Sequence, residues 1–145
     1  MNTIIGRQFP EKVIPLLDTA KNKIDIMVFD WRWYVTEPGS SCQLFNQAVA
    51  RAARRGVKIR AIVNSDDIAA HLRAIGVDVK KFVSKHLLHC KLMILDDRLI
   101  VTGSHNYTQS AFTMNMELSV VLDELVDISD FNNFFLNIWQ SQQYR

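Results

Sequence analysis

The sequence predicts an α/β fold in which a mixed, mainly parallel β-sheet is flanked by helices on both faces. In the N-terminal part, short apolar runs alternate with amphipathic helical patterns, which is typical of strands joined by helical crossovers. Further on, two apolar runs flank the tight link Asp96-Asp97-Arg98 and predict a β-hairpin. A chain of 145 residues with 48% hydrophobic and 22% charged residues can bury a sizeable core, so we expect one domain over residues 1–145.

The N-terminal half predicts three helices, each followed by a strand. Pro10 suits the first turn of the first helix, whereas Pro15 is expected to distort it. Ser40 or Ser41 is the predicted cap of the second helix, and Ser65-Asp66-Asp67 is that of the third. The elements predicted here are helices over 9–21, 44–55 and 68–75, strands over 24–29, 57–63 and 77–83, and a loop over 30–41.

The C-terminal half predicts strands and one final helix. The hairpin strands are predicted over 89–95 and 99–102, a further strand over 117–122, and the helix over 126–140. Apolar side chains recur at helical spacing in that helix, and we interpret them as core. They are Phe131, Phe134, Phe135, Ile138 and Trp139.

Composition excludes several classes of protein. No segment approaches the roughly 20 apolar residues of a membrane span, and the first residues lack the pattern of a secretory signal. Two cysteines, Cys42 and Cys90, make at most one disulfide. We expect them to be free thiols in a reducing compartment, which predicts a cytoplasmic protein.

Charge is distributed unevenly along the chain. The net charge is +2, but residues 48–91 hold ten basic and three acidic side chains, a local net charge of +7. Such a segment favours a polyanionic partner, and nucleic acid is the partner we expect. For the group Arg51, Arg54 and Arg55, a solvated helix face explains the pattern equally well.

One stretch of sequence carries the chemistry. It follows the pattern H-x-K-x4-D-x6-G-S-x-N, beginning at His89 and Lys91 and ending at Asn106. Because side chains at i and i+2 of a strand point to the same face, His89 and Lys91 are expected to project together, with Cys90 pointing away.

These residue types suit a phosphodiester. The Lys91 ammonium can hold nonbridging phosphate oxygens, and Gly103 lets the backbone approach closely. Ser104 and Asn106 can add hydroxyl and amide donors to the same oxygens. Glu117 could accept a hydrogen bond from the second ring nitrogen of His89 and so orient the imidazole as a nucleophile.

The pattern resembles the signature of the phospholipase D superfamily at every spacing. Asn115-Met116-Glu117 looks like the downstream carboxylate element of that family, and one copy of the motif makes the chain similar to single-motif members of the small bacterial endonuclease type. The resemblance implies a phospholipase D-like α-β-α sandwich. It also implies an attack by His89 on phosphorus that forms a phosphohistidine.

Such a reaction needs two histidines in opposite roles, one as nucleophile and one as general acid and base. The chain supplies one matching histidine, so the resemblance implies a homodimer that places two copies of His89 together at a two-fold axis. Lysine and amide donors then neutralise the phosphate charge, and we expect neither a metal nor a cofactor. Grouping His71, His86, His89 and Cys90 as metal ligands gives poor spacing.

Two residues within this stretch, Asp96 and His105, have predicted roles other than direct catalysis. Asp96 belongs to the catalytic signature, but its odd separation from His89 predicts that it braces a turn or neighbouring backbone rather than touching substrate. His105 occupies the variable position between Ser104 and Asn106. It is interpreted as a surface turn residue or, alternatively, as an accessory substrate contact.

An aromatic stretch, Trp31-Arg32-Trp33-Tyr34, follows the first predicted internal strand. Arg32 and Trp33 are candidates for substrate binding, because aromatics with an interleaved arginine can stack on the bases of a single strand. The same residues could equally pack in the core or at the dimer interface.

The leading hypothesis is therefore a metal-independent phosphodiesterase, most simply an endonuclease acting on DNA or RNA. A phospholipid phosphodiesterase, of the kind that acts on cardiolipin, uses identical chemistry at phosphorus, and an apolar rim that includes Leu87 and Leu88 would favour it. A third hypothesis is a catalytically idle nucleic-acid-binding module, which would bind but not hydrolyse its partner.

Overall fold

The computed structural model describes residues 2–144, and its centre is one seven-stranded β-sheet with the strand order β1-β7-β6-β5-β2-β3-β4. The strands are β1 (Asn2–Ile5), β2 (Lys23–Val28), β3 (Lys58–Val63), β4 (Asp78–Lys81), β5 (Lys91–Leu95), β6 (Leu99–Gly103) and β7 (Leu118–Leu122). The helices are α1 (Gln8–Thr19), α2 (Ser41–Arg54), α3 (Asp66–Ala74), α4 (Gln109–Thr113) and α5 (Leu125–Ser141).

The sheet is mixed, as expected, but it is not mainly parallel. Among the strands of residues 2–144, only the pairings β2–β3 and β3–β4 are parallel, whereas β2–β5, β5–β6, β6–β7 and β1–β7 are antiparallel. Helical crossovers join the parallel strands, but β5 enters beside β2 in the opposite direction, and each later pairing keeps that alternation. The prediction of a mainly parallel sheet is therefore wrong.

Helices cover the two faces unequally. Helices α1 to α4 pack on one face over the larger core cluster, in which Phe9, Phe45 and Phe112 are fully buried. On the other face α5 packs over a smaller cluster through Phe135 and Trp139. Alternation along the strands explains the division, since Ile26 faces the first cluster and its neighbour Met27 the second.

Local signals in the sequence account for several helix ends. Ser40 and Ser65 cap α2 and α3 by accepting hydrogen bonds from the backbone N–H groups of Gln43 and Ile68. Helix α1 runs through Pro15 without a break. Strand β1 and helix α4 have no counterpart among the predicted elements.

One end of the sheet collects the motif residues. The carboxyl ends of β1, β2, β3, β4 and β6 and the amino ends of β5 and β7 meet there, and we call it the motif edge. The predicted strand over 89–95 begins only at Lys91, so His89 lies just outside the sheet. The other end of the strands is called the opposite edge.

Candidate active site

The His89 imidazole is exposed at the motif edge, directly before β5. Lys91 Nζ lies 3.2 Å from His89 Nδ1 and 3.4 Å from Nε2. The Phe29 ring packs against both groups, with its centroid 4.8 Å from the imidazole centroid and 5.6 Å from Nζ. The residue that directly follows β2 thus supplies an aromatic platform that holds the imidazole ring and the ammonium side by side.

Asn64 fixes the segment that carries His89. Its amide Nδ2 donates to the backbone oxygens of Phe29 (2.9 Å) and Leu88 (3.1 Å), and so ties the end of β2 to the residue before His89. Neither Phe29 nor Asn64 was identified from the sequence. Their positions in the sequence could have indicated a role in the site, because both directly follow buried strands whose carboxyl ends meet at one edge of the sheet.

Glu117 and Ser104 form a hydrogen-bonded pair beside this corner. Ser104 Oγ donates to Glu117 Oε1 (2.5 Å) and accepts from the backbone N–H of Leu118 (2.9 Å). Glu117 Oε2 accepts from Asn115 Nδ2 (3.0 Å). Within this chain Glu117 therefore orients Ser104 rather than His89, and the Ser104 hydroxyl proton is engaged by a carboxylate instead of being free for a phosphate.

Gly103 brings β6 into direct contact with β7. A Cβ atom at this position would lie closer to the backbone atoms Ser119 Cα and Leu118 O than van der Waals contact allows. Ser104 follows, and its backbone N–H donates to Leu118 O (2.9 Å). The absence of a side chain at Gly103 is thus what sets the position of the motif turn.

Asn106 faces the residue that follows the aromatic platform. Its Oδ1 accepts from the backbone N–H of Asp30 (3.1 Å), which fixes the orientation of the side-chain amide. The Tyr107 N–H also donates to Asp30 O (3.0 Å). Within residues 2–144 the Asn106 Nδ2 has no hydrogen-bond partner, so its two N–H groups remain available to a ligand.

Asp96 lies at the opposite edge, far along β5 from His89. Its carboxylate accepts from the backbone N–H groups of Lys21, Asn22 and Lys23 at 2.7–3.0 Å. Burial acts to raise the pKa of Asp96, but these three hydrogen bonds together hold it below its ordinary value. Asp96 therefore braces neighbouring backbone, as its spacing predicts, and does not line the site.

His105 is neither a surface residue nor a substrate contact. It is 1% exposed and packs against Phe9 with the ring centroids 4.7 Å apart, while its ring nitrogens lie 2.7 Å from Ser119 Oγ and 2.8 Å from Gly6 O. Burial is the main cause that lowers the pKa of this imidazole. The predictions of a surface turn residue and of an accessory substrate contact are therefore both wrong. The reason is the contact with Gly6, in the turn after β1, which no local sequence pattern indicates.

The aromatic stretch after β2 divides between core and surface. Trp31 is buried and donates from Nε1 to Asn46 Oδ1 (2.7 Å). Arg32 is exposed and pairs with Asp30, with Nε 3.2 Å from Oδ1. Trp33 is half-buried at the surface, and its indole stacks on the imidazole of His71 in α3.

Helix α5 contributes to the site as well as to the core. A cleft of about 480 Å³ is lined by His89, Lys91 and Ser104 together with Phe131 and Phe134. The Phe134 side chain is 45% exposed. Of the five α5 residues interpreted as core, Phe134 is therefore corrected to a wall of the cleft.

The basic middle segment does not form one positive surface. Arg51 pairs with Asp18 (3.0 Å), and Arg55 donates to the carbonyl oxygens of Leu17 and Ala20 at the end of α1 (2.8 Å each). The basic side chains of this stretch that bond to acceptors within the fold include Arg51, Arg55, Arg60, Lys80 and Lys81. At least half of these ten basic side chains thus serve the fold, whereas Lys91 lies in the cleft.

Cys42 and Cys90 are both free thiols, and burial raises the pKa of each. Across residues 2–144, no three side chains of histidine, cysteine, aspartate or glutamate come together as metal ligands. Within the same range, no helix combines the length and the apolar character that crossing a bilayer requires.

Comparison with protein families gives one match over most of the chain. The model described as "Cardiolipin synthase, PLD-like domain" matches residues 13–139. The mitochondrial cardiolipin hydrolase of Xenopus tropicalis is 29% identical over 135 residues, which are 89% of this chain and 60% of that protein. That of Canis lupus familiaris is 31% identical over 141 residues, 93% of this chain and 52% of its own length. The chain thus spans 60% or less of the length of these relatives.

Solved structures share the fold at lower identity. Nuc, a phospholipase D family member from Salmonella typhimurium, is 22% identical with a TM-score of 0.82, and the alignment covers 99% of this chain and 97% of Nuc. NucT from Helicobacter pylori is 16% identical with a TM-score of 0.80 and the same coverage.

Proposed function

This chain belongs to the PLD-like domain family, and on that premise we propose that it is a metal-independent phosphodiesterase that cleaves DNA or RNA. The observation that carries the proposal is the arrangement at the motif edge. Lys91 Nζ lies within 3.4 Å of both His89 ring nitrogens, and within residues 2–144 the Asn106 Nδ2 has no hydrogen-bond partner. An imidazole, an ammonium and amide donors are the groups that a phosphodiester needs.

The reaction proceeds in two displacements. A ring nitrogen of His89 attacks phosphorus, and the bond from phosphorus to the leaving oxygen breaks as that oxygen takes a proton from His89 of the partner subunit. That second imidazole then removes a proton from water. The water oxygen attacks phosphorus, the phosphorus–nitrogen bond breaks, and a phosphate monoester leaves with His89 restored.

An exposed apolar surface beside the cleft supports the homodimer. Ile5 and Leu118 are direct partners across β1 and β7 and are 59% and 57% exposed. Met116 is fully exposed next to Glu117, and Phe134 lines the cleft itself. Apolar side chains grouped in this way are typical of an interface, and a two-fold contact here would bring both copies of His89 to one phosphate.

The same surface favours a second candidate, a phosphodiesterase that acts on phospholipid. Leu87 is 70% exposed two residues before His89, whereas Leu88, the other predicted rim residue, is buried at 3% exposure. Exposed leucine and methionine side chains around a cleft can enter the boundary of a bilayer. The curated relatives that are named cardiolipin hydrolases point the same way.

Assays in EDTA distinguish these proposals. The purified protein is incubated with single- and double-stranded DNA and RNA, with cardiolipin vesicles and with bis(4-nitrophenyl) phosphate, beside the His89→Ala variant. We expect the parent to hydrolyse nucleic acid and the small diester, and the His89→Ala variant to hydrolyse neither. Hydrolysis of vesicles but not of nucleic acid would select the second candidate, and binding of nucleic acid without hydrolysis of any diester would leave only a binding module.

Solution mass tests the shared site separately. Sedimentation is expected to give a dimer, and Leu118→Glu is expected to yield monomers that have lost activity. A monomeric parent with full activity would rule out the shared site.

A further inference from the structure

A second pocket opens at the motif edge, next to the cleft that holds His89. Its volume is about 450 Å³, and its walls include Asp30, Arg32, Trp33, Tyr34, Ser65 and Asp67. We refer to it as the aromatic pocket. The proposed reaction at His89 makes no use of these side chains.

The aromatic pocket is connected to the His89 cleft through Phe29 and Asp30, which follow one another in the chain. Asp30 lines the pocket, while its backbone N–H donates to Asn106 and its neighbour Phe29 carries the His89 ring. Trp33 follows Phe29 by four residues, which even a fully extended chain spans in about 14 Å. A group bound against Trp33 would therefore be within reach of the same strand whose phosphate is held at His89.

The aromatic plane of the pocket is held before any ligand arrives. The Trp33 indole stacks on the His71 imidazole, with ring centroids 5.6 Å apart and planes only 5° from parallel. Tyr34 is anchored twice, by its N–H to Gln43 Oε1 (2.8 Å) and by its hydroxyl, which accepts from the Gln109 N–H (2.7 Å). A surface fixed in this way loses little conformational entropy when a ring stacks on it.

Charge in the pocket excludes phosphate and favours an uncharged ring. Two carboxylates, Asp30 and Asp67, line the walls, and the guanidinium of Arg32 is paired with Asp30. Carboxylate oxygens accept hydrogen bonds from amino groups but repel phosphate. A flat ring that carries N–H donors is the ligand that matches both the aromatic plane and these acceptors.

We propose that the aromatic pocket is a nucleobase subsite, in which a base next to the scissile phosphate stacks on Trp33 and Arg32. The proposal rests on the nuclease function and deepens it by naming the part of the substrate that is bound outside the cleft. A base within a duplex would first have to unstack, so the pocket favours single-stranded substrate.

The experiment compares Trp33→Leu with the parent on two substrates, a single-stranded DNA oligonucleotide and bis(4-nitrophenyl) phosphate. Stacking of one base predicts a loss of about 10- to 100-fold in kcat/KM on the oligonucleotide, and a change of less than about twofold on the small diester, which has no base. Arg32→Gln is expected to give a smaller loss of the same kind. Val35→Ala, an exposed residue of the same loop, serves as the matched control and is expected to leave both rates unchanged.

An oligonucleotide with a single abasic position tests whether the pocket binds the base itself. The abasic position is moved along the strand, and kcat/KM is measured for each placement. We expect one placement to lower kcat/KM of the parent as much as the Trp33→Leu substitution does. The same placement should not lower kcat/KM of the Trp33→Leu variant any further. Equal losses on both substrates, or no loss on the oligonucleotide, would overturn the proposal. Trp33→Phe, which keeps an aromatic ring, is expected to recover most of the rate and so excludes misfolding as the cause.

Binding separates failure of the subsite from failure of the reaction. Fluorescence anisotropy of a labelled oligonucleotide with His89→Ala is expected to show affinity that falls about 10- to 100-fold when Trp33→Leu is added. If the parent hydrolyses no diester but this difference persists, the subsite stands and the nuclease reaction fails. If His89→Ala binds cardiolipin vesicles and not the oligonucleotide, the subsite is overturned.

Discussion

The two edges of the sheet use similar residues in opposite ways. At the opposite edge Asp25 is 2% exposed and is held by Arg60 through two hydrogen bonds of 2.8 Å, and Asp96 accepts three backbone N–H groups. At the motif edge His89 is exposed, and within residues 2–144 Lys91 forms no ion pair with a carboxylate. Saturated polar groups maintain the fold, whereas groups with unused bonding capacity are the ones available to a substrate.

Replacing His89 is expected to have the largest effect. His89→Ala removes the proposed nucleophile and should lower kcat by at least about 1,000-fold on bis(4-nitrophenyl) phosphate, with the free energy of unfolding nearly unchanged because the ring is exposed. Steady-state rates and urea unfolding measure the two quantities. A variant that keeps a tenth of the parent rate would show that His89 is not the nucleophile.

Breaking the buried ion pair should give the reverse pattern. Arg60→Met leaves the Asp25 carboxylate without its main partner and is expected to lower the free energy of unfolding by about 3 kcal/mol, while the rate per folded molecule is kept. Lys58→Met, at an exposed position of the same strand, is the control, and we expect it to cost less than about 0.5 kcal/mol. A loss of activity without a loss of stability in Arg60→Met would contradict the division between the edges.

Glu117→Gln tests the second layer of the motif edge. The change keeps the size of the side chain but removes the negative charge of the carboxylate that accepts a hydrogen bond from Ser104 Oγ. The resulting misplacement of Ser104 is expected to lower kcat by about 10- to 100-fold. Asp123→Asn, an exposed carboxylate directly after β7, is the control and is expected to be silent. Equal rates in Glu117→Gln and the parent would mean that Glu117 serves only the fold.

The smallest effect is expected from the buried histidine. Because burial lowers the pKa of His105 in the folded state, the unfolded chain binds this proton more readily. Its contribution to stability is therefore complete above the unfolded pKa of about 6.5 and is lost as the pH falls towards the lower folded value. Urea unfolding at pH 7.5 and pH 5 measures this difference. Between the two pH values, the free energy of unfolding should decrease less in His105→Gln than in the parent. An equal decrease in both proteins would assign the acid sensitivity to other groups.

The sequence predicts residues whose partners lie nearby in the chain more reliably than residues with distant partners. His89 and Lys91 lie side by side, as their separation of two residues predicts, and Ser40 and Ser65 cap helices through local hydrogen bonds. The role of His105 depends on Gly6 and Ser119, which lie in other strands or turns. Contacts of that kind require the strand order to be known first.

Strand order itself has no local signal in this chain. Strand β1 has four residues, of which Ile4 alone is buried, so it shows no period-2 pattern long enough to detect. Its pairing with β7 and the entry of β5 beside β2 are what make the sheet mostly antiparallel. The basic segment was misleading for the same reason, since the acceptors of Arg51 and Arg60 lie in α1 and β2.

The contact between β6 and β7 at Gly103 limits how this protein can diversify. The obstacle there is main chain, so no compensating exchange at Ser119 or Leu118 makes room for even one methyl group. A larger residue has to push the two strands apart and carry Ser104 along with them. Saturation mutagenesis at this codon should therefore return glycine alone among active clones.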